Sequence, residues 1–194
     1  MARPNSPGRR ETYRERFERH AAIDDPEVVL NAAARFLQVR PRSVQELRRH
    51  LTGKGYKPEL VEPAVARLTE LGMLDDAAFA RAWIESRYRV RPRAGRVLRQ
   101  ELALKGVERT LIDAAIADHE ERQAELSSEA EVDQGTADER AAERLLTRRR
   151  AALARIADPR VRAQRAYALL ARNGFDPDVC RAASARFLDE AADI

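Results

Sequence analysis

Several features that large classes of protein depend on are missing from this chain. One cysteine, Cys180, stands among 194 residues, so no disulfide can close within the chain, and the three histidines are scattered without the spacing of a zinc site. The sequence has no long apolar run of the kind that spans a membrane, and its first residues carry charges where a signal peptide needs an apolar segment. These absences predict a cytoplasmic protein without a membrane segment, a metal or another cofactor.

Catalytic motifs are missing as well. The chain contains no GxxxxGKS/T, HExxH or GxSxG motif, and no nucleophile can be paired with a base from the sequence. The acidic pair Asp75–Asp76 precedes a predicted helix, where an N-cap explains it better than a magnesium site. We therefore predict that the protein is not an enzyme.

Basic residues, by contrast, are abundant and segregated. Seven arginines and a single acid, Glu85, lie between residues 81 and 99. Residues 118–133 hold seven acids and one arginine, and residues 139–165 hold nine arginines and three acids. Crowded like charges cost free energy unless a partner or the acidic segment neutralises them. The two basic segments therefore favour an anionic partner, although a solvated face that keeps alanine-rich helices soluble remains the alternative.

One motif recurs three times along the chain. LRRHLTGKGYKPELVEPAV at residues 47–65 aligns without gaps on LRQELALKGVERTLIDAAI at residues 98–116, and AYALLARNGFDPDVCRAAS at residues 166–184 is a weaker third copy. Each copy predicts a helix, a glycine stop and a second helix, because glycine accepts the left-handed conformation that ends helices. The glycines in question are Gly55, Gly106 and Gly174.

A further helix is predicted before each copy, at Asp24–Val39, Asp75–Val90 and Ala137–Ile156, where acidic residues suit an N-cap. No segment alternates with period two, so no sheet is expected. The predicted fold is all-α, an elongated array of three tandem three-helix repeats. The predicted organisation is a flexible basic arm at 1–24, repeats at 25–73, 74–119 and 137–194, and an acidic linker at 120–136, for which a mask over the basic faces is the alternative.

The second repeat leads to a prediction about its core. Phe79, Ala82, Trp83 and Ser86 follow the spacing of one helix face. This spacing predicts that Trp83 is a core residue and not a stacking platform for bases.

Two further residues stand at informative places in the repeat. Cys180 occupies the slot of Val61 and Ile112, which predicts a small buried apolar residue. Pro63 lies beyond the first turn of its helix, so a kink or a delayed start is expected there.

The stretch LDDAAFARAWIESRYRVRPRAGRVLRQELALKGV, residues 74–107, resembles the signature of the RecX family of bacterial regulatory proteins. The tandem three-helix units fit that family too, and the resemblance extends over about Pro26–Asp189. It implies a non-enzymatic modulator of the RecA recombinase in DNA repair, homologous recombination and the SOS response. It also implies a curved helical protein that lies along the groove of the RecA filament on single-stranded DNA and suppresses ATP hydrolysis and strand exchange.

The expected partner contacts are arginines of the two basic segments. These are Arg81, Arg87, Arg89, Arg91, Arg93, Arg96, Arg99, Arg148, Arg149 and Arg150. Besides the RecA filament, single- or double-stranded DNA is an expected partner, and the protein is expected to be a monomer. The alternative is a helix-turn-helix-like protein that acts directly on nucleic acid, with one helix in the major groove. The spread of these arginines over turns and two segments suits a phosphate backbone or an acidic protein groove better than sequence-specific readout. A scaffold for an unrelated protein is a third possibility.

Overall fold

The computed structural model describes residues 11–129 and 135–192, and within these ranges it consists of α-helices and connecting turns. The helices are α1 (Tyr13–Ala21), α2 (Pro26–Val39), α3 (Val44–Lys54), α4 (Pro58–Glu70), α5 (Asp76–Val90), α6 (Gly95–Leu104), α7 (Arg109–Glu129), α8 (Ala137–Ala154), α9 (Pro159–Arg172) and α10 (Pro177–Ala192). The all-α prediction is confirmed.

The three copies of the motif end their first helix in the same way. The glycine φ angles are 104° at Gly55, 80° at Gly106 and 89° at Gly174, a region that strains any residue with a Cβ. In each copy the amide after the glycine donates to a carbonyl five residues back, at 3.2, 3.2 and 3.3 Å. These donors are Tyr56, Val107 and Phe175, and all three side chains are buried. The predicted repeat is therefore confirmed at the level of individual hydrogen bonds.

Each group of three helices has an apolar core of its own. The first core is formed by α2, α3 and α4, and the second by α5, α6 and α7. The third is formed by α8, α9 and α10, and it also takes in Tyr88 and Ala94 from the second group. The chain divides into two compact units between Asp76 and Ala77, so the second and third groups of helices belong to one unit.

Cys180 is fully buried in the third core, and its Sγ lies 3.5 Å from the carbonyl oxygen of Phe175. Burial raises the pKa of its thiol, which keeps the sulfur protonated at neutral pH. The prediction of a small buried residue at this slot of the repeat is confirmed.

Part of the predicted N-terminal arm forms the helix α1. Thr12 and Glu15 form a capping box that starts α1. The hydroxyl of Tyr13 then donates to the Gly53 carbonyl at 2.8 Å, and the ring of His20 stacks on Tyr56 at 4.5 Å between centroids. Helix α1 thus packs over the C-terminal end of α3, and residues 1–10 of the predicted arm lie outside the described residues.

Helix also occupies most of the described part of the predicted acidic linker. Helix α7 continues through the acidic residues to Glu129, and the next helix starts at the N-cap Thr136, whose capping-box partner is Glu139. Glutamate and alanine favour helix, so this charge-rich stretch extends a helix that the second core has already nucleated. Residues 130–134 lie outside the described part of the chain.

The predicted buried face of α5 needs correction. Phe79, Ala80, Ile84 and Tyr88 are buried, whereas the predicted core residues Ala82 and Ser86 are exposed and Trp83 is half-buried. The buried stripe of α5 therefore runs through Ala80, Ile84 and Tyr88, which are spaced four residues apart. It lies beside the stripe inferred from the spacing around Trp83. Both stripes fit a period of 3.6 residues, and contact with α6 and α7 selects between them.

The helix that contains Pro63 begins at Pro58, so the expected delayed start is not observed. Pro58 is the first helical residue, where the missing N–H is harmless, and Pro63 lies exposed in the second turn. The carbonyl that Pro63 leaves without its helical donor is that of Glu59, which is also exposed and accessible to water.

Asp76 accepts a hydrogen bond from a helix other than its own. Its Oδ1 lies 2.9 Å from the amide nitrogen of Val44, the first residue of α3. Asp138, near the start of α8, does the same for the amide of Gly95 at the start of α6, also at 2.9 Å. The second of these bonds connects α8 to α6 within the second compact unit. Each carboxylate accepts from the first amide of another helix, and that amide has no hydrogen-bond partner within its helix.

Candidate interface for an anionic partner

Two of the arginines expected to contact a partner are held by one carboxylate. The Oε2 atom of Glu101 on α6 accepts from Arg87 Nε at 2.7 Å and from Trp83 Nε1 at 2.9 Å. Arg93 Nε lies 3.9 Å from the other carboxylate oxygen. The side chains of Arg87, Arg93 and Glu101 are only 21–28% exposed, so this cluster is shielded from water. The primary role of Arg87 and Arg93 is therefore structural, and a role in binding comes second.

The indole of Trp83 belongs to the same cluster. The guanidinium carbon of Arg87 and the ammonium of Lys105 each lie 4.2 Å from the ring. Because two cations contact the ring and its N–H is bound to Glu101, the indole is not an open platform for a nucleic-acid base. Trp83 is thus partly buried by charged side chains and not by the apolar core alone.

Arg99 forms an ion pair that the repeat reproduces. Its Nε lies 3.0 Å from Asp113 Oδ1, and at the equivalent positions of the first repeat Arg48 Nε donates to Glu62 at 2.9 Å. The hydrogen bond from Arg99 lowers the pKa of Asp113. Both pairs join the second and third helices of their repeat. The gapless alignment already placed these two pairs in register, so this structural role could have been recognised from the sequence.

Among the other arginines of the first basic segment, Arg89 lies 3.6 Å from Glu85, one turn earlier on α5. Arg96 donates from Nε to the carbonyl of Gly174. Arg81 and Arg91 are exposed, and neither forms an ion pair in the described part of the chain. Of the seven arginines expected here, these two alone present unpaired guanidinium groups to solvent.

The three arginines expected in the second basic segment differ from this pattern. Arg148 and Arg149 on α8 are exposed, and Arg148 Nη1 donates to the carbonyl of Val90 at 3.4 Å. Arg150 is half-buried and lies over the ring of Phe187, 5.6 Å from its centroid. Neither Arg148 nor Arg149 forms an ion pair with a described carboxylate.

Sequence reasoning left out four more exposed arginines that follow in the same region. They are Arg155, Arg160, Arg165 and Arg172, at the end of α8 and along α9. The signal was available, because three of them lie in the basic segment that the charge pattern had identified at residues 139–165.

A cleft of about 800 Å³ lies in the second compact unit, between the starts of α6, α8 and α10 and the middle of α7. Its walls carry both signs of charge, since Arg96, Arg99 and Arg140 face Glu120 and Glu121. The three arginines are engaged by Gly174, Asp113 and Gly135. With Asp138 and Asp176, four carboxylates face these three arginines, so the lining of the cleft carries no net positive charge that would attract an anionic ligand.

His119 lies among cations in the same unit. The residue is 7% exposed, and its ring meets Tyr88 edge-on at 4.7 Å between centroids. Burial lowers the pKa of His119, and Arg122, Arg144 and Arg140 lower it further, while Glu85, 3.8 Å from Nδ1, acts in the opposite direction. The imidazole is therefore neutral at pH 7.

No group of three or more histidine, cysteine, aspartate or glutamate side chains suited to a metal ion occurs in residues 11–129 or 135–192. None of the helices described in these ranges is both long enough and apolar enough to cross a bilayer.

The sequence matches two family descriptions. Residues 30–68 match the first three-helix domain of RecX, and residues 75–116 match the second three-helix domain. These ranges correspond to the first two groups of helices, α2–α4 and α5–α7.

Individual relatives extend the match. The regulatory protein RecX of Thermobifida fusca is 35% identical over 141 residues, which cover 73% of this chain and 68% of the relative. The RecX protein of Streptomyces coelicolor is 40% identical over 91 residues, 47% of this chain and 48% of the relative. That of Mycolicibacterium smegmatis is 40% identical over 88 residues, 45% and 47% of the two chains. The chain thus spans about half the length of these last two curated relatives.

A solved structure shares the fold. The crystal structure of RecX from Lactobacillus salivarius superposes with a TM-score of 0.59 over 88% of this chain and 99% of that chain, at 18% identity. At this level of identity the likeness concerns the helical architecture alone.

Proposed function

Because this chain belongs to the RecX family of regulatory proteins, we propose that it binds the RecA filament on single-stranded DNA and inhibits both ATP hydrolysis and strand exchange. It acts in the cytoplasm as a monomer, without a catalytic step of its own, and so modulates DNA repair and homologous recombination. This extends the regulatory role of the family to a defined partner.

One observation carries the proposal. Exposed guanidinium groups without carboxylate partners occur on α5, α8 and α9, whereas the sizeable cleft described above has its cations compensated. A surface with uncompensated cations suits an extended polyanionic assembly better than a small substrate, which needs an enclosing pocket. The filament expected from the family resemblance is such an assembly.

The proposal is tested by the ATPase rate of a RecA recombinase on single-stranded DNA, titrated with this protein at two salt concentrations. We expect the rate to fall with increasing protein, and the half-inhibitory concentration to rise with salt, because phosphate and carboxylate contacts are screened. An unchanged ATPase rate at saturating protein, under conditions where the protein binds naked DNA, would replace the proposal by direct action on nucleic acid. An unchanged rate without DNA binding would favour a scaffold for another protein.

A further inference from the structure

The arginines of α8 and α9 differ from the other exposed arginines of this protein in their pairing. On most other helices an exposed arginine has an acid one turn away, as in Arg14–Glu18, Arg67–Glu70, Arg109–Asp113 and Arg181–Asp178. Six exposed arginines of α8, α9 and their connection have no ion pair with any carboxylate in the described chain. They are Arg148, Arg149, Arg155, Arg160, Arg165 and Arg172, which we call the α8–α9 arginines.

The one acid among them cannot compensate this charge. Asp158 is the N-cap of α9, and its Oδ1 accepts from the amides of Arg160 at 2.8 Å and Val161 at 3.4 Å. Other arginines of the region do have internal roles, since Arg162 caps the end of α8 by donating twice to the Ile156 carbonyl, at 3.0 and 2.9 Å. Some arginines of these two helices therefore form contacts within the fold, whereas the α8–α9 arginines are exposed to solvent.

Their arrangement suits a chain of anions. Arg148 and Arg155 are seven residues apart and so lie on the same side of α8, and Arg165 and Arg172 are related in the same way on α9. Arg155 and Arg160 flank the short connection between the two helices. Exposed alanines at positions 151, 152 and 154 separate the arginines of α8, and their small side chains allow a backbone to approach closely.

The exposed residues of α8 and α9 distinguish between two kinds of anionic partner. A protein interface of useful strength is centred on buried aromatic or large apolar anchors. The exposed large apolar residue of α8 and α9 is Val161, at 40% exposure, and no exposed aromatic accompanies it on these two fully described helices. Phosphodiesters need no such anchor, because guanidinium groups bind them through charge and paired hydrogen bonds. Gln164 is the one exposed amide on α8 and α9, which is too few for reading base sequence.

We propose that the α8–α9 arginines bind the phosphate backbone of single-stranded nucleic acid without sequence preference, and that most arginines of α5 and α6 do not. The inference builds on the proposed filament function, since that filament contains single-stranded DNA. The two basic segments then have different roles. The first segment is largely committed to Glu101, Asp113 and Glu85, and the third group of helices carries the nucleic-acid contact.

The test compares two full-length variants that each lose three exposed arginines without ion pairs. One variant is Arg149→Ala, Arg155→Ala and Arg165→Ala. The matched control is Arg16→Ala, Arg35→Ala and Arg122→Ala, which changes the net charge equally. Binding to a fluorescent oligo(dT) is followed by anisotropy over a range of salt concentrations, and circular dichroism verifies that both variants melt like the parent.

We expect the α8–α9 variant to bind roughly tenfold more weakly, and the slope of log affinity against log salt to fall by about 2, because three phosphate contacts are lost at about 0.7 each. The control should stay within about twofold of the parent, with a similar slope. Equal losses in both variants would mean that net charge alone attracts DNA, and this result would overturn the proposal. It would also be overturned if the parent did not bind oligo(dT).

A second measurement separates this inference from the proposed function. Both variants are tested for binding to DNA-free RecA recombinase and for inhibition of its ATPase on single-stranded DNA. If the α8–α9 variant binds oligo(dT) normally but loses binding to DNA-free recombinase, the surface contacts an acidic protein face and our assignment is wrong. If the parent leaves the ATPase unaffected while the α8–α9 variant loses oligo(dT) binding, the proposed function fails and the nucleic-acid surface stands.

Discussion

Replacing Glu101 by alanine should destabilise the second compact unit far more than the loss of a surface charge would. The change removes the acceptor of Trp83 Nε1 and Arg87 Nε and the nearest carboxylate to Arg93. Two guanidinium groups that are about a quarter exposed are then left without their counter-ion. Breaking a fully buried ion pair costs about 3–5 kcal/mol. Because this cluster keeps some contact with water, we expect about 2–3 kcal/mol, or a fall in Tm of roughly 6–12 °C for a unit of this size.

Asp113 provides a matched control within the same unit. It is also a carboxylate shared by two arginines, Arg99 at 3.0 Å and Arg109 at 3.5 Å, but these side chains are 45–94% exposed. Exposed pairs contribute little, since water and salt already screen them. Asp113→Ala should therefore lower the Tm by no more than about 2 °C. Glu101→Gln should lie between the two, because the amide oxygen can still accept one of the hydrogen bonds but carries no charge.

Thermal melts of the three variants, followed by circular dichroism at low and high salt, decide the matter. The effect of Glu101→Ala should persist at high salt, whereas that of Asp113→Ala should vanish. If Glu101→Ala and Asp113→Ala melt at the same temperature, the Glu101 cluster is no more than surface charge. In that case Arg87 and Arg93 would return as candidates for direct contact with the partner.

In urea unfolding, Gly174→Ala should lower the free energy of unfolding by roughly 3 kcal/mol or more, because φ is 89° and the new Cβ would lie 2.2 Å from Val97 Cγ2. Gly72→Ala, at φ 68° with open space around it, should lower it by only about 1 kcal/mol, and equal losses in the two variants would contradict this expectation. Burial raises the pKa of Asp76, so its protonation stabilises the fold below about pH 4, and this contribution is lost as pH rises through the raised pKa. The Tm of the parent minus that of Asp76→Asn should therefore fall between pH 3 and pH 7, and a constant difference would refute the raised pKa. Burial lowers the pKa of His119, so the contribution of the neutral imidazole to stability is present above about pH 6.5 and is lost as pH falls through the lowered pKa. The Tm of the parent should therefore exceed that of His119→Gln by less at pH 5 than at pH 7, and a larger excess at pH 5 would show that the attraction of Glu85 dominates.

Helix ends and the slots of the repeat were predictable because their causes are local. A glycine at positive φ ends a helix through bonds that span five residues, so Gly55, Gly106 and Gly174 could be identified from sequence alone. The burial of Cys180 followed from its place in the repeat, since equivalent slots of a repeated packing unit have equivalent environments.

The partners of the arginines were harder to predict, because an ion pair depends on which helix faces which. Glu101 is fourteen residues from Arg87 in sequence and on a different helix. Charge counting recognised a basic segment from Arg81 to Arg99 but could not show that Glu101 on α6 pairs with two of its arginines. The same limitation applies to Trp83, whose helical spacing was compatible with a core position and whose surroundings prove to be two cations and a carboxylate.

Periodicity and glycine conformation act over a few residues, so local sequence was enough to predict helices in repeated groups of three, the glycine stop in each motif and the apolar slots. Three features became visible only in the folded chain: the buried stripe of α5, the continuation of α7 through the acidic residues to Glu129, and the set of arginines that already have partners. These outcomes depend on contacts between helices far apart in the chain. Packing and desolvation at those contacts select among arrangements that are equivalent in local sequence.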